Sequence, residues 1–136
     1  MKTIFLAILL LCITAVAQTG HTPPTSGPQN EPAITIINGP VAEFVSVSST
    51  TIGWTASKSG SMSIKYGSDR NRLDRTAQAT PGSSGTSFHV HLDQLAPNTE
   101  YFFQVMEDGQ PVGGVGTFHT TAPGTPPIRS KAVIPE

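Results

Sequence analysis

The chain has 136 residues, a formal net charge of −1 and 12% charged side chains. So balanced a charge leaves no electrostatic footprint for nucleic acid or an anionic membrane surface, and the length suits a single domain. The only cysteine is Cys12, which excludes an intrachain disulfide.

The chain opens with Lys2, followed by an apolar run over residues 4–16 that ends in Ala15-Val16-Ala17. A basic start, a run of this length and a small-x-small ending predict a secretory signal, residues 1–17, cleaved before Gln18. The run is shorter than the roughly 18 to 20 apolar residues that a spanning helix needs. Cys12 would leave with the signal, and the bulky Leu11 before it departs from a lipoprotein motif. About 119 residues follow, with no membrane insertion expected after cleavage. Residues 18–31 are rich in Thr, Pro and Gly without apolar periodicity, too polar to offset their ordering entropy. They predict a flexible leader that holds the domain off a surface.

Residues 32–37 form a β-branched run, a first strand stopped by the turn signal Asn38-Gly39-Pro40. Phe44, Val45 and Val47 extend it or form a partly paired connection. Residues 50–55 alternate, placing Ile52 and Trp54 inward and Thr51, Gly53 and Thr55 outward. Residues 61–66 repeat the pattern with Met62, Ile64 and Tyr66 on one face, and Gly67 closes that strand. Residues 73–78 predict a short edge strand and residues 80–86 a Gly, Ser and Pro loop. In residues 87–92, Phe88, Val90 and Leu92 face the core while His89 and His91 face away.

Leu95-Ala96-Pro97-Asn98-Thr99-Glu100-Tyr101 is the most informative stretch. Pro97 and Asn98 turn the chain, and Tyr101, Phe103 and Val105 then share one strand face. A tyrosine just after such a turn is the tyrosine corner of immunoglobulin-like sandwiches, its ring in the core and its hydroxyl bonded to backbone upstream. Asp108-Gly109 predicts a hairpin turn, and residues 113–121 return as the last strand with Phe118 as core contact. The Pro-rich tail, residues 123–136, is expected to be disordered. About seven short antiparallel strands, regular turns and no helical periodicity predict an all-β sandwich.

Ile52-Gly53-Trp54, Ile64-Lys65-Tyr66-Gly67 and Leu95-x-Pro97-x-Thr99-x-Tyr101 together resemble a fibronectin type III domain, an immunoglobulin-like sandwich, over residues 32–122. Immunoglobulin domains carry their tryptophan on the third strand beside a disulfide; here Trp54 is on the second, without one. More narrowly, Gly39-Pro40, Thr51-Ile52-x-Trp54, Tyr66-Gly67, the alternation at His89 and Val90, and Thr117-Phe118-x-Thr120 resemble the sandwich domain that precedes the catalytic domain in purple acid phosphatases. In those enzymes the dimetal chemistry lies in the second domain, and this chain ends before one could begin. The resemblance thus implies an accessory or binding module and no phosphatase. Residues 107–113 contain no Arg-Gly-Asp, so integrin adhesion does not carry over.

His89-Val90-His91-Leu92-Asp93 could present two imidazoles and a carboxylate to zinc. It partly resembles the His-x-His-x-Asp-His motif of metallo-β-lactamase-like hydrolases, with Gln94 at the final His position. In the plainer reading the histidines simply face water, with His119 on the opposite sheet. Arg70, Arg72 and Arg75 are interleaved with Asp69 and Asp74 on a solvated loop. The Gly-rich stretches 82–85 and 113–116 lack the helix a phosphate cradle needs. Two surfaces compete as binding sites. One is the loop tips at 67–72 and 107–114, including Asp108 and Gln110. The other is the outer sheet face around Lys65, Phe102, Gln104 and Met106. Phe102 and Met106 alternate against the core residues, which exposes them unless an edge strand or the tail covers them. The sequence therefore predicts a secreted, non-enzymatic module that binds a protein or polysaccharide, without a cofactor, at the cell envelope or outside the cell. Its alternatives are a structural spacer or assembly subunit and a small metal-dependent hydrolase using His89, His91 and Asp93.

Overall fold

The computed structural model describes residues 31–130; the signal segment and nearly all of the leader lie outside them. Among the described residues nine strands follow one another without a helix: β1 (Ile36–Val45), β2 (Thr50–Ala56), β3 (Met62–Gly67), β4 (Arg75–Gln78), β5 (Thr80–Pro81), β6 (Ser87–Leu92), β7 (Glu100–Glu107), β8 (Gln110–His119) and β9 (Ile128–Arg129). They form two sheets, of order β5-β6-β2-β1-β9 and β4-β3-β7-β8, with every pairing antiparallel. This is an immunoglobulin-like β-sandwich.

The period-two alternation explains the core. Ile52 and Trp54 of β2, Ile64 and Tyr66 of β3, Phe88, Val90 and Leu92 of β6, Tyr101, Phe103 and Val105 of β7, and Phe118 of β8 are all buried between the sheets. Trp54 stacks on Phe88 across the β2–β6 pair, ring centroids 5.7 Å apart, and Tyr101 on Phe118 at 5.5 Å. Such contacts add to the area the rings bury. Leu95 is buried in the same cluster.

The corner before β7 is closed by hydrogen bonds. The Ala96 N–H donates to the Tyr101 hydroxyl at 2.8 Å, the tyrosine corner that the sequence predicts. Thr120, fully buried just past β8, donates from Oγ1 to the Ala96 carbonyl at 2.7 Å and accepts the Thr99 N–H at 2.9 Å. At the β7–β8 tip, Asp108 (φ 46°) and Gly109 (φ 81°) make the left-handed pair that a two-residue hairpin favours.

Three expectations need correction. Asn38-Gly39-Pro40 does not end the first strand: β1 runs through it, with the Gly39–Pro40 peptide cis. The ladder to β2 is irregular there, and Pro40, which has no N–H, falls between the paired positions Asn38 and Val41. The predicted loop 80–86 begins as β5, whose Thr80 and Pro81 pair with His89 and Phe88. The predicted disorder of the tail does not extend to Ile128 and Arg129, which pair with Val45 and Phe44 as β9. The open edge of β1 offers unpaired backbone groups, and the chain beyond β8 supplies partners for them. Residues 131–136 lie outside the described residues.

Candidate binding surface

The outer face of the five-stranded sheet gathers polar side chains from four strands. His91 pairs with Thr51, Thr51 with Phe44 and Phe44 with Arg129. Residues directly opposite in antiparallel ladders share a face, so these four form one row over β6, β2, β1 and β9. At about 4.8 Å per strand the row spans roughly 14 Å.

A second row is built on a bulge and a glycine. The β1–β2 register shifts between Ala42 and Phe44, which makes Glu43 the extra residue, and a bulge of this kind re-aims a side chain. Gly53 lies opposite His89, and a Cβ there would sit 2.5 Å from Glu43 Oε1. The bare glycine thus lets the carboxylate lie across β2 and reach His89 Nε2 at 3.3 Å. Glu43 is 13% exposed in its side chain and His89 41%.

The remaining contacts hold the first row in place. The Arg129 guanidinium lies 5.2 Å from the centroid of the Phe44 ring, a cation–π distance. The Ser130 N–H donates to the Glu43 carbonyl at 2.8 Å, tying the chain after β9 to the bulge. His91 Nδ1 and Thr51 Oγ1 are 3.3 Å apart. Between them Glu43, Phe44, Thr51, Arg129 and Ser130 line a pocket of about 350 Å³. Among the described residues its lining carries one carboxylate and one guanidinium.

On the other sheet, Met106 is only 6% exposed. It stands directly opposite Ser63 on one side and Pro111 on the other, so of the two alternatives for this face Met106 takes the covered one and adds no exposed apolar surface. Gln104 is buried too, because its Nε2 donates to the carbonyls of Val112 and Gly113 at 3.1 and 3.0 Å. Those carbonyls belong to the bulge in β8, where the ladder skips from Val112 to Gly116. Phe102 is half-buried between Gly67 and Thr117, while Lys65, Asp108 and Gln110 are exposed.

His89 and His91 do share the outer face of β6, but each is turned to a different partner. Asp93 lies past the end of the strand. Among the described residues no three His, Cys, Asp or Glu side chains are grouped to hold a metal ion. His119 is on β8, in the opposite sheet. Arg75 stacks on Tyr66 at 4.8 Å and Arg72 lies 3.7 Å from Asp74.

Sequence reasoning named His89 and His91 but missed Glu43, Phe44, Thr51, Arg129 and Ser130 as neighbours of one site. Only the bulge and the β1–β9 pairing bring these together, and neither leaves a periodic signal.

Residues 39–120 match the model of the purple acid phosphatase N-terminal domain. The sandwich is similar to the sensor domain of the anti-sigma factor RsgI4 of Pseudobacteroides cellulosolvens, with a TM-score of 0.53 and 22% identity over 75% of this chain and 98% of that one. A structure of PhoD is similar at a TM-score of 0.48 and 18% identity, over 68% of this chain and 19% of that one. No curated protein matches the chain. At such identities the solved structures speak to the fold alone, whereas the family match takes in more than half of the sequence. The chain belongs to the family of purple acid phosphatase N-terminal domains.

Proposed function

We propose that the chain is a secreted, non-enzymatic binding module, acting at the cell envelope or outside the cell, that meets a protein or polysaccharide on the outer face of its five-stranded sheet. The observation that carries this reading is the row His91, Thr51, Phe44 and Arg129 beside the pocket at Glu43. A rigid sheet holds these side chains in register, and a preformed polar surface loses little freedom on binding. The signal pattern of residues 1–17 supports export. The matched family is described as the N-terminal domain of purple acid phosphatase, and the match takes in no catalytic domain, which supports a role without catalysis.

The test is capture from native envelope and secreted fractions with the purified protein immobilised, beside a variant carrying Arg129→Ala and His91→Ala. The parent is expected to retain a specific component that the variant loses, while Gln110→Ala on the other sheet retains it. Equal capture by parent and double variant would remove this face from the function. Stoichiometric zinc in the purified protein, lost on His91→Ala, would instead support the hydrolase reading.

A further inference from the structure

The pocket beside β9 has a chemistry that selects among ligands. The Arg129 guanidinium lies 5.2 Å from the centroid of the Phe44 ring and carries five N–H donors. Among the described residues no hydrogen bond or ion pair engages that guanidinium. Glu43 lines the same pocket with its carboxylate steadied by His89 at 3.3 Å, and a carboxylate accepts through both oxygens. A donor fork and an acceptor of opposite charge in one pocket favour neither an anion nor a cation. They suit an uncharged ligand whose groups both donate and accept. Hydroxyls do both, and the Thr51 and Ser130 hydroxyls and the His91 imidazole add partners of the same kind.

Two further observations set the size and class of the ligand. The row from His91 to Arg129 crosses four strands, roughly 14 Å, which is longer than one sugar ring and suits several in series. The large apolar side chains exposed among the described residues are Ile37 and Ile128, at opposite ends of β1, with Ile128 beside Val45. They do not join into the apolar patch on which protein contacts centre. Resting on the binding-module reading above, we infer that this face binds a neutral polysaccharide laid across the strands. Glu43 and Arg129 take neighbouring hydroxyls of one sugar unit, the half-buried Phe44 supplies apolar contact, and Thr51 and His91 meet the next unit.

The test is affinity electrophoresis of the purified protein through gels containing hydroxyethyl cellulose, xyloglucan, glucomannan or a β-1,3-glucan, with polygalacturonate as the charged comparison. At least one neutral polymer is expected to retard the parent. Arg129→Ala and Glu43→Gln should each weaken that retardation tenfold or more, and Phe102→Ala on the other sheet should leave it unchanged. Because changes at Arg129 and Glu43 could loosen β9, Thr51→Val serves as the second variant. It should weaken binding at least threefold while the urea midpoint stays that of the parent. No retardation by any neutral polymer, stronger retardation by polygalacturonate, or binding indifferent to both Arg129→Ala and Thr51→Val would each overturn the inference. If the neutral polymers fail while the capture experiment returns a protein partner dependent on Arg129, the glycan is wrong and the binding module stands. If both fail, both readings fall.

Discussion

Tyr101 and Trp54 are both buried aromatic residues, yet their polar atoms stand differently. The Tyr101 hydroxyl accepts the Ala96 N–H at 2.8 Å, so Tyr101→Phe leaves a backbone donor unpaired at the corner. It should cost about 1 to 3 kcal/mol in urea unfolding, the usual penalty for an orphaned partner. Trp54 Nε1 is buried with no partner among the described residues, so removing it forfeits no hydrogen bond. Trp54→Ala should cost about 3 to 5 kcal/mol through the cavity it leaves, and Trp54→Phe less than half of that. Equal costs for the two would place the loss in the indole nitrogen rather than in packing. Gly53 matters through what lies on it. Gly53→Ala would push the Glu43 carboxylate off β2, separating it from His89 for less than about 1 kcal/mol of stability, since the His89 side of the pair is open to water. The measurable consequence should be at the pocket, read as weaker ligand retention at an almost unchanged urea midpoint.

Among the elements, the β7–β8 hairpin and β9 contrast in what a short segment contributes. Gly109 holds φ 81° at the hairpin tip, and Gly109→Ala should cost about 1 kcal/mol or slightly more by straining that turn. β9 is two residues long, and both side chains are exposed. A chain ending at Pro127 should therefore lose only about 1 kcal/mol or less, in line with the few backbone bonds removed, and keep its sandwich. The same truncation removes Arg129 and Ser130 from the pocket, so ligand retention should vanish while the circular dichroism spectrum stays. Retention that survives it would separate the function from β9.

In the molecule as a whole one apolar cluster joins both sheets, so unfolding should be a single cooperative event. Trp54 is the only tryptophan and sits in that cluster. Its fluorescence and the far-ultraviolet dichroism should give superimposable urea transitions, and a gap between them would mean that the sheets separate. Three of the seven strand pairings join segments distant in sequence, β2 with β6, β3 with β7 and, farthest apart, β1 with β9. Refolding should accordingly take on the order of milliseconds to seconds, as for other sandwiches of high contact order.

How much of this was legible in the sequence follows from which interactions are local. Alternation in residues 50–55, 87–92 and 101–105 is a property of each strand by itself, so burial of Trp54, Val90 and Phe103 could be read without knowing the partner strand. The corner at Pro97-Asn98 and the turn at Asp108-Gly109 likewise carry their own chemistry. Phe102, Gln104 and Met106 show where alternation stops being enough. It assigns their side to the outer face, but Pro111 and the carbonyls of the β8 bulge, both on another strand, decide whether that face is open. The same holds for the candidate binding surface. The sequence alone determined the sandwich, its core faces and its turns, because those depend on periods and dihedral preferences within a few residues. Only the tertiary structure decided that Glu43 lies over Gly53 and that Arg129 lies on Phe44, because register and edge pairing join backbones far apart in the chain and leave no local pattern.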